Sequence, residues 1–408
     1  MNHFSTISLW GWRQFRRVEI DLSAQLVVLT GPNGCGKTTI LNVLGKHFGW
    51  NIQFVSTPHL STRKERRFWS DVFENRASEF SDESTQSNVG QITYSNGQTC
   101  DLRVPTQSDS HQYQLSYSNQ LGIPGIHIPS HRPVTNYVQI ESIPVNPKSS
   151  QQQFQDFQQL LLQTYGSTSV RNPGTILKQS LIALAVFGFG NEAVAPNHQY
   201  RAMFREFEQI LHRLLPRSLG FERLEVRAPD IVFHTKTGTF ALDAMSGGVS
   251  AIVGMAWQIH MYGADQQFST IIIDEPENHL HPSMQREFLP ALIEAFPDYR
   301  FIVSTHSPFV VGSSPDASVY SLVFDEDRRI VSKRLANDEL SGSPNRILRE
   351  ILDVPTTLPI WVERELAQLL SELQYNDDRE ASIAKIHESL VKFGIDLPLA
   401  DLMREVNR

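Results

Sequence analysis

The run Gly31-Pro32-Asn33-Gly34-Cys35-Gly36-Lys37-Thr38-Thr39 has the residue types and spacing of a phosphate-binding loop. Residues 26–29 predict a short buried strand before it, and residues 39–44 predict a helix after it. In that setting, backbone N–H groups and the positive end of the helix dipole can surround phosphate oxygens. Lys37 would reach the β- and γ-phosphates, and the Thr38 hydroxyl would take a Mg²⁺ position. The residues predicted to bind nucleotide here are Asn33, Gly34, Cys35, Gly36, Lys37, Thr38 and Thr39.

Two neighbouring carboxylates follow a second apolar segment. The β-branched residues 270–273 predict a buried parallel strand that presents Asp274 and Glu275 at its carboxyl end. Asp274 would hold Mg²⁺ through water, and Glu275 would orient or deprotonate the water that attacks the phosphate. An ordinary strand followed by an acidic turn shows the same pattern. The catalytic interpretation of this run therefore depends on the other motifs in the chain.

Two further pieces follow the same logic. Ser246-Gly247-Gly248 precedes an amphipathic run at 249–259 and predicts a serine-capped helix N-terminus that can bind a phosphate, although such a triplet alone is usually a turn. A strand at 301–304 ends near His306, whose ring could hydrogen-bond the γ-phosphate or the attacking water. Isolated histidines at strand ends are mostly structural. Here, however, the strand before His306 follows the acidic strand at the spacing of one β-α-β unit. This spacing favours a catalytic role for His306.

These four pieces, in this order, resemble the ATP-binding-cassette (ABC) class of ATPases. The resemblance implies a Walker A motif at 31–39, a signature at Ser246, Gly247 and Gly248, a Walker B motif at 271–275, a D-loop at 278–282 and a switch histidine at His306. It also implies ATP and Mg²⁺ as ligands, with Thr38 and Asp274 as the metal-binding residues. The signature departs from the usual form, since Met245 replaces leucine and Val249 follows where a glutamate or glutamine is common.

In this class, the signature of one subunit closes the nucleotide held by another, so the resemblance implies ATP-dependent dimers. Residues 9–22 resemble the start of the DNA-repair and RecF/OLD-type branch, which would place Arg13 near the nucleotide; the alternative is an exposed arginine on an edge strand. The glutamine that senses Mg²⁺ in this class has two candidates, Gln53 and Gln91, and neither has the expected surroundings. Arg132 is a third residue that could point to the site.

The expected fold class is α/β: an ABC-type P-loop nucleotide-binding fold with an inserted mixed lobe and a small C-terminal helical region. The predicted parts are a core segment at 1–48, an inserted lobe at 49–230, the rest of the core at 231–335 and a helical region at 336–408. The insert lacks the sustained heptads of a long coiled coil.

Local patterns predict the elements outside the motifs. In the insert, a hairpin around Asn96-Gly97 joins strands at 90–94 and 99–104, residues 107–119 form a loop, and helices cover 151–165, 175–186 and 200–215. A strand pair at 319–323 and 330–333 closes the sheet, and its acidic tip at 325–327 is interpreted as a solvated turn rather than a metal cluster. Helices are expected at 345–352, 360–373, 380–393 and 398–406.

Composition restricts the environment and the partners. No segment approaches the ~20 consecutive apolar residues of a membrane span, the N-terminus does not look like a signal peptide, and two cysteines make no disulfide framework. We therefore expect a cytoplasmic protein that does not bind a membrane. A net charge of −8 argues against a chain that envelops nucleic acid, while the basic run at 63–67 keeps DNA open as a partner.

A compact ABC core with a short insert, no fused nuclease and a small helical tail resembles the ATPase subunits of bacterial anti-phage systems of the Septu, retron-associated and PARIS types. That resemblance implies homodimers or higher oligomers and a separately encoded effector, such as a nuclease. Three functions compete: a defence sensor or scaffold, a DNA repair or recombination ATPase that clamps DNA, and a platform that uses ATP as a structural ligand. ATP turnover stimulated by DNA would favour the ATPase that clamps DNA. Very slow ATP turnover in a stable oligomer would favour the platform that uses ATP as a structural ligand.

Overall fold

The computed structural model describes residues 2–60, 66–70, 72, 86–105, 107–108, 110–132, 137–144, 149–164, 172–263, 268–352, 354, 358–375 and 388–389. Its contacts divide the chain into two compact units, Met1–Asn337 and Asp338–Arg408. The first unit contains every residue that the sequence predicts to bind or hydrolyse nucleotide.

Nineteen strands lie within the described residues. They are β1 Phe4–Trp12, β2 Phe15–Asp21, β3 Leu26–Thr30, β4 Phe54–Val55, β5 Thr57–Leu60, β6 Arg66–Trp69, β7 Gln86–Tyr94, β8 Thr99–Pro105, β9 Gln107–Ser108, β10 Gln112–Tyr113, β11 Ser116–Ser118, β12 Gly125–Ile128, β13 Phe221–Arg227, β14 Asp230–Thr235, β15 Gly238–Ala241, β16 Thr270–Asp274, β17 Arg300–Ser304, β18 Ser318–Phe324 and β19 Ile330–Arg334.

Ten α-helices lie in the same residues. They are α1 Lys37–Gly45, α2 Ser150–Thr164, α3 Gly174–Phe189, α4 His198–Leu214, α5 Gly247–Gly263, α6 Pro282–Ala295, α7 Pro308–Val311, α8 Asn337–Leu340, α9 Pro344–Glu350 and α10 Ile360–Tyr375. Helices α2 to α5 pack on one another, and α1 packs on β16 and β17. None of the described helices is long and apolar enough to cross a membrane.

The main sheet has eleven strands in the order β11-β8-β7-β1-β2-β19-β18-β3-β17-β16-β12. From β18 to β12, neighbouring strands run parallel. Strands β3 and β16 are fully buried along their length, as expected for the centre of a parallel sheet covered on both faces. Since parallel strands present their carboxyl ends at one edge, the turns after β3, β12, β16 and β17 meet there.

The α/β class and the P-loop core are confirmed, and the strands and helices predicted in the insert lie within a residue or a few of their expected positions. The strands of the insert do not stand apart, however. Strands β7, β8 and β11 extend the main sheet beyond β1, and β12 pairs in parallel with β16, with Ile128 opposite Ile273. The chain between 86 and 128 therefore contributes directly to the sheet that carries the predicted site.

Three expectations need correction. The predicted loop at 107–119 contains the short strands β9, β10 and β11, which form because distant strands β6, β4 and β8 pair with them. The pair β18–β19 does not close the sheet; it lies inside it, between β2 and β3. The helix after the signature is buried along most of its length rather than amphipathic, because α2, α3 and α4 cover it.

Two of the helices predicted in the C-terminal tail lie within the described residues. Helices α9 and α10 lie close to the predictions at 345–352 and 360–373. The helices expected at 380–393 and 398–406 fall outside the described residues, apart from residues 388–389.

At the tip of β18–β19, Asp325 and Asp327 both form ion pairs with Arg16.

Candidate functional site

The loop at 31–36 connects β3 to α1 and takes a conformation that requires glycine. Gly34 and Gly36 have φ angles of 80° and 87°, in the left-handed region. A Cβ at Gly36 would lie 2.4 Å from Cζ of Phe15, so β2 closes the space behind the loop. Gly36 is also the N-cap residue of α1. The loop therefore reaches the helix N-terminus with bare backbone, as phosphate binding needs.

Lys37 turns back over this loop. Its Nζ donates to the carbonyl oxygens of Gly31 at 2.9 Å and Pro32 at 3.1 Å, and it lies 3.5 Å from Sγ of Cys35. Lys37 is only 5% exposed. Burial raises the pKa of the Cys35 thiol, which the neighbouring ammonium only partly offsets, so Cys35 stays an inert thiol in the loop. A buried ammonium over the loop is positioned to contact phosphate oxygens.

Asp274 lies at the carboxyl end of β16, next to the start of α1. Its Oδ2 accepts a hydrogen bond from Thr38 Oγ1 at 2.9 Å, and its Oδ1 accepts one from Ser304 on β17. The register of the two parallel strands places Asp274 opposite Ser304. Burial raises the pKa of Asp274 despite the hydrogen bonds from Ser304 and Thr38. Hydroxyl and carboxylate oxygens thus converge where the P-loop helix begins.

Glu275 adopts a left-handed backbone with φ of 49°, which is uncommon for a residue with a Cβ. Its backbone N–H donates to the Ser304 carbonyl at 3.0 Å. Its Oε2 accepts from Nδ2 of Asn278 at 2.9 Å, and its Oε1 lies 3.9 Å from Nε2 of His306. The fold therefore brings the two predicted catalytic residues together, at a distance longer than a hydrogen bond.

Glu277 holds the segment that carries His306. Its Oε1 accepts from Thr305 Oγ1 and from the backbone N–H of His306, both at 2.7 Å. Burial raises the pKa of Glu277, although these hydrogen bonds oppose the shift. Burial, followed by the charge of Lys37, lowers the pKa of His306, so its imidazole is neutral at pH 7.

The turn after β12 also reaches this edge of the sheet. Arg132 donates from Nη2 to the carbonyl oxygens of Asp274 at 3.0 Å and Glu275 at 3.1 Å. By contrast, Gln91 donates to Asp101 on β8, and Gln53 is exposed. Among the described residues, neither glutamine hydrogen-bonds a residue of the predicted site, so the magnesium-sensing glutamine is still unassigned.

Arg13 occupies the turn between β1 and β2, with φ of 54°. Its guanidinium lies 5.0 Å from the ring centroid of Phe54 and 5.6 Å from that of Trp12, within the range of cation–π contact. A cavity of about 440 Å³ opens beside it. Its lining residues are Arg13, Gln14, Phe15, Gly34, Gly36, Thr39, Thr57, Arg329 and Ile330. The structure thus places Arg13 and the phosphate-binding loop around one cavity.

The predicted signature lies apart from the loop of its own chain. Ser246 and Gly247 are exposed at the start of α5. A Cβ at Gly248 would lie 2.7 Å from the carbonyl oxygen of His279, so the signature packs on the predicted D-loop. In the described part of the chain, no hydrogen bond joins Ser246, Gly247 or Gly248 to residues 31–39.

A buried ion cluster stands behind the signature. Nζ of Lys178 on α3 lies 2.6 Å from carboxylate oxygens of both Asp230 and Asp243, and its side chain is 1% exposed. Burial disfavours the charged ammonium, but the two carboxylates outweigh it and raise the pKa of Lys178. Asp243 belongs to the 3₁₀ turn Leu242–Ala244, which leads into the signature.

Sequence reasoning missed several of these contacts. Ser304 could have been found by aligning the ends of β16 and β17, both recognised as strands, because parallel register places Ser304 beside Asp274. Glu277 belongs to the same acidic run as Asp274 and Glu275. The cluster of Lys178 with Asp230 and Asp243 gave no local signal, since its members are scattered over 66 positions of the sequence.

A family model described as "AAA domain, putative AbiEii toxin, Type IV TA system" matches residues 26–312. That span begins at β3 and continues past His306, so it covers the loop, the predicted signature, the acidic strand and the predicted switch histidine. The chain belongs to this family. The match therefore extends over the whole part of the chain in which the predicted nucleotide-binding residues after β3 lie.

Two relatives match different shares of the chain. The chain is 22% identical to the Septu protein PtuA of Bacillus thuringiensis over 95% of this chain and 92% of that protein. It is 28% identical to the protein named "Retron Ec83 probable ATPase" of Escherichia coli, over 28% of this chain and 23% of that protein. The resemblance to Septu and retron-associated ATPases, inferred from the organisation of the chain, is confirmed.

Solved structures were compared as well. An SMC head domain with an extended coiled coil, bound to the C-terminal domain of ScpA and derived from Pyrococcus furiosus, is 16% identical. The match covers 86% of this chain and 100% of that chain, with a TM-score of 0.47. An SMC head domain from Thermotoga maritima is 14% identical, over 82% of this chain and 99% of that chain, with a TM-score of 0.41.

Proposed function

We propose that this chain binds ATP with Mg²⁺ and hydrolyses it, at a site that a second copy of the chain completes. The observation that carries the proposal is the convergence at one sheet edge of Lys37, Thr38, Asp274, Glu275 and His306. The cavity beside Arg13 and Thr39 has room for the base and ribose of a nucleotide.

The side chains divide the work by their chemistry. Lys37 would exchange its hydrogen bonds with the loop carbonyls for phosphate oxygens. The Thr38 hydroxyl and the Asp274 carboxylate are hard oxygen donors of the kind that Mg²⁺ prefers, so they fit that ion. When bound, Mg²⁺ would neutralise charge on the phosphates.

Glu275 and His306 would act on the attacking water. Glu275 accepts a hydrogen bond from Asn278 at Oε2, which leaves Oε1 directed towards the neutral ring of His306. In this position, Glu275 would orient the water and take its proton, while His306 would hydrogen-bond the γ-phosphate or the water.

A second copy of the chain would supply the signature. Ser246 and Gly247 are exposed at the N-terminus of the long helix α5, where backbone N–H groups and the helix dipole favour an anion. Because the described residues show no hydrogen bond between this signature and their own loop, we infer that it closes the nucleotide of another subunit, in a dimer or a higher oligomer.

The match to Septu PtuA across 95% of the chain supports a role in anti-phage defence, as a cytoplasmic sensor or scaffold that controls a separately encoded effector such as a nuclease. The role rests on likeness to that protein, since fold alone does not determine function.

One experiment tests the ATPase and the assembly together. Phosphate release and light scattering are measured with ATP and Mg²⁺ for the native chain and for Glu275→Gln, with and without short duplex DNA. Removing the base should lower turnover at least ~100-fold, preserve nucleotide affinity and accumulate ATP-bound oligomers. Glu294→Gln, the same change at an exposed position on α6, should behave as native.

Turnover of Glu275→Gln at the native rate would show that the catalytic assignment is wrong. Oligomers beyond a dimer that form without DNA would support the scaffold role. A dimer that appears only with DNA would instead favour an ATPase that clamps DNA.

A further inference from the structure

The turn after β12 grips the turn that carries Glu275 at two points. Arg132 spans the carbonyl oxygens of Asp274 and Glu275 with a single nitrogen, Nη2. Asn278 donates from Nδ2 to Oε2 of Glu275 at 2.9 Å and lies 3.3 Å from the carbonyl oxygen of Ser130. These contacts connect parts of the chain that are more than 140 residues apart.

The contacts of Arg132 and Asn278 lie next to a strained backbone conformation at Glu275. Glu275 has φ of 49°, and a residue with a Cβ pays free energy to stay in the left-handed region unless its surroundings hold it there. On its amino side, the Glu275 N–H donates to the Ser304 carbonyl. On its carbonyl side, the Glu275 oxygen accepts from Nη2 of Arg132 at 3.1 Å and from the backbone N–H of Asn278 at 3.2 Å. The same Arg132 nitrogen donates to the Asp274 carbonyl, in the peptide that precedes Glu275. Charged donors make the stronger hydrogen bonds to such carbonyls.

We propose that Arg132 and Asn278 are positioning residues for Glu275: Arg132 holds its backbone in the left-handed conformation, and Asn278 holds its carboxylate towards His306. This inference rests on the proposed ATPase function. Neither residue touches the reacting atoms. Their removal lowers turnover through the placement of Glu275 and leaves Lys37, Thr38 and Arg13 to bind the nucleotide as before.

The same turn has a second neighbour. Pro129, His131 and Arg132 line an apolar cavity of about 120 Å³, together with Leu177 on α3 and Met245 and Gly247 at the signature. The turn that holds Glu275 thus borders the same cavity as the start of α5, which faces the other nucleotide in the proposed dimer.

The test separates turnover from binding. In Arg132→Gln, kcat should fall by about 10-fold or more, because a small misplacement of a catalytic group has large effects, and the Kd for a fluorescent ATP analogue should change less than twofold. Arg132→Lys, which keeps a cationic donor, should recover part of kcat. Asn278→Ala should show the same division, and Gln120→Ala, at an exposed position in the segment before β12, should match the native chain.

A double-mutant cycle shows whether Arg132 acts through Glu275. Added to Glu275→Gln, the Arg132→Gln change should cause no further loss of turnover, because the group that Arg132 places is already gone. A further loss in the double variant would overturn the proposal. So would native kcat in Arg132→Gln, or a loss of kcat and nucleotide affinity together with a lowered melting temperature. A native chain without ATP turnover would instead remove the proposed function, and this inference with it.

Discussion

Lys37 and Asp274 show how single residues prepare the site. The ammonium of Lys37 is held by loop carbonyls, and the carboxylate of Asp274 is held by two hydroxyls. Both groups are buried, and both have hydrogen-bond partners that phosphate or a metal ion can replace. Charged groups contribute most to phosphoryl transfer when folding has already removed their water and fixed their geometry.

Replacing Lys37 with alanine should weaken ATP binding by at least ~10-fold, because one charge-assisted contact with phosphate is worth about 1.5–3 kcal/mol. A titration with a fluorescent nucleotide measures the loss. Lys46→Ala provides the control, since Lys46 lies at the far end of α1 and donates to Leu115. Unchanged affinity in Lys37→Ala would exclude Lys37 as a phosphate ligand.

At the scale of elements, the join between the loop and α1 depends on a fit with β2. The aromatic ring of Phe15 fills the space where a side chain at Gly36 would begin. The strand therefore supports the loop from behind, and the helix can begin with exposed N–H groups. Sequence spacing identified the glycine, but the reason for it at this position includes a neighbour outside the motif.

Gly36→Ala should destabilise the fold and abolish nucleotide binding, because it adds a steric overlap with Phe15 to the left-handed strain of about 1–2 kcal/mol. Thermal melting and nucleotide titration measure the two effects. Gly97→Ala is the matched control: its φ is 82°, it lies in the β7–β8 turn, and nothing lies within 4 Å of the added Cβ. Equal melting temperatures for the two variants would contradict the steric argument.

The ion cluster of Lys178, Asp230 and Asp243 joins α3, β14 and the 3₁₀ turn before the signature. Lys178→Met should cost about 3–5 kcal/mol, because it leaves two carboxylates without their buried partner. Urea unfolding measures the change. Arg17→Met, which removes an exposed ion pair with Glu19, should have little effect. Comparable losses in the two variants would show that the cluster does not stabilise the fold.

At the scale of the molecule, three histidines whose pKa values are lowered in the fold make stability depend on pH. Burial lowers the pKa of His47 to about 4 and of His127 to about 3, and it also lowers the pKa of His260. Below pH ~6.5, these histidines bind protons in the unfolded chain but stay neutral in the folded chain. The free energy of unfolding therefore falls as the pH drops. The carboxyls of Asp274 and Glu277 have raised pKa values and act in the opposite direction.

Between pH 7.5 and 5.5, His47 and His127 should each cost about 1.4 kcal/mol of unfolding free energy, and His260 should add to this loss. The two carboxyls reduce the total. Chemical denaturation at the two pH values measures it. His47→Asn keeps a donor for the Leu44 carbonyl and removes one titrating group, so its loss between the two values should be smaller than that of the native chain. An equal loss would show that His47 does not contribute.

The sequence by itself determined the parts of the site that are local. The loop, the acidic strand, the signature and the strand before His306 are each coded by a few consecutive residues, because strand burial and helix starts depend on near neighbours. Their order along the chain was enough to infer the ABC class of ATPases. The organisation of the chain around them indicated the likeness to Septu and retron-associated ATPases, which the relatives confirm. The domain boundaries and the roles of individual site residues stay predictions.

Only the tertiary structure decided which distant residues meet. Strand order placed β12 beside β16 and brought Arg132 to the carbonyls of Asp274 and Glu275. It also moved β18–β19 into the middle of the sheet and buried Lys178 between two aspartates. Such contacts depend on strand register and helix packing across more than a hundred residues, and no local pattern of apolar and polar residues encodes either.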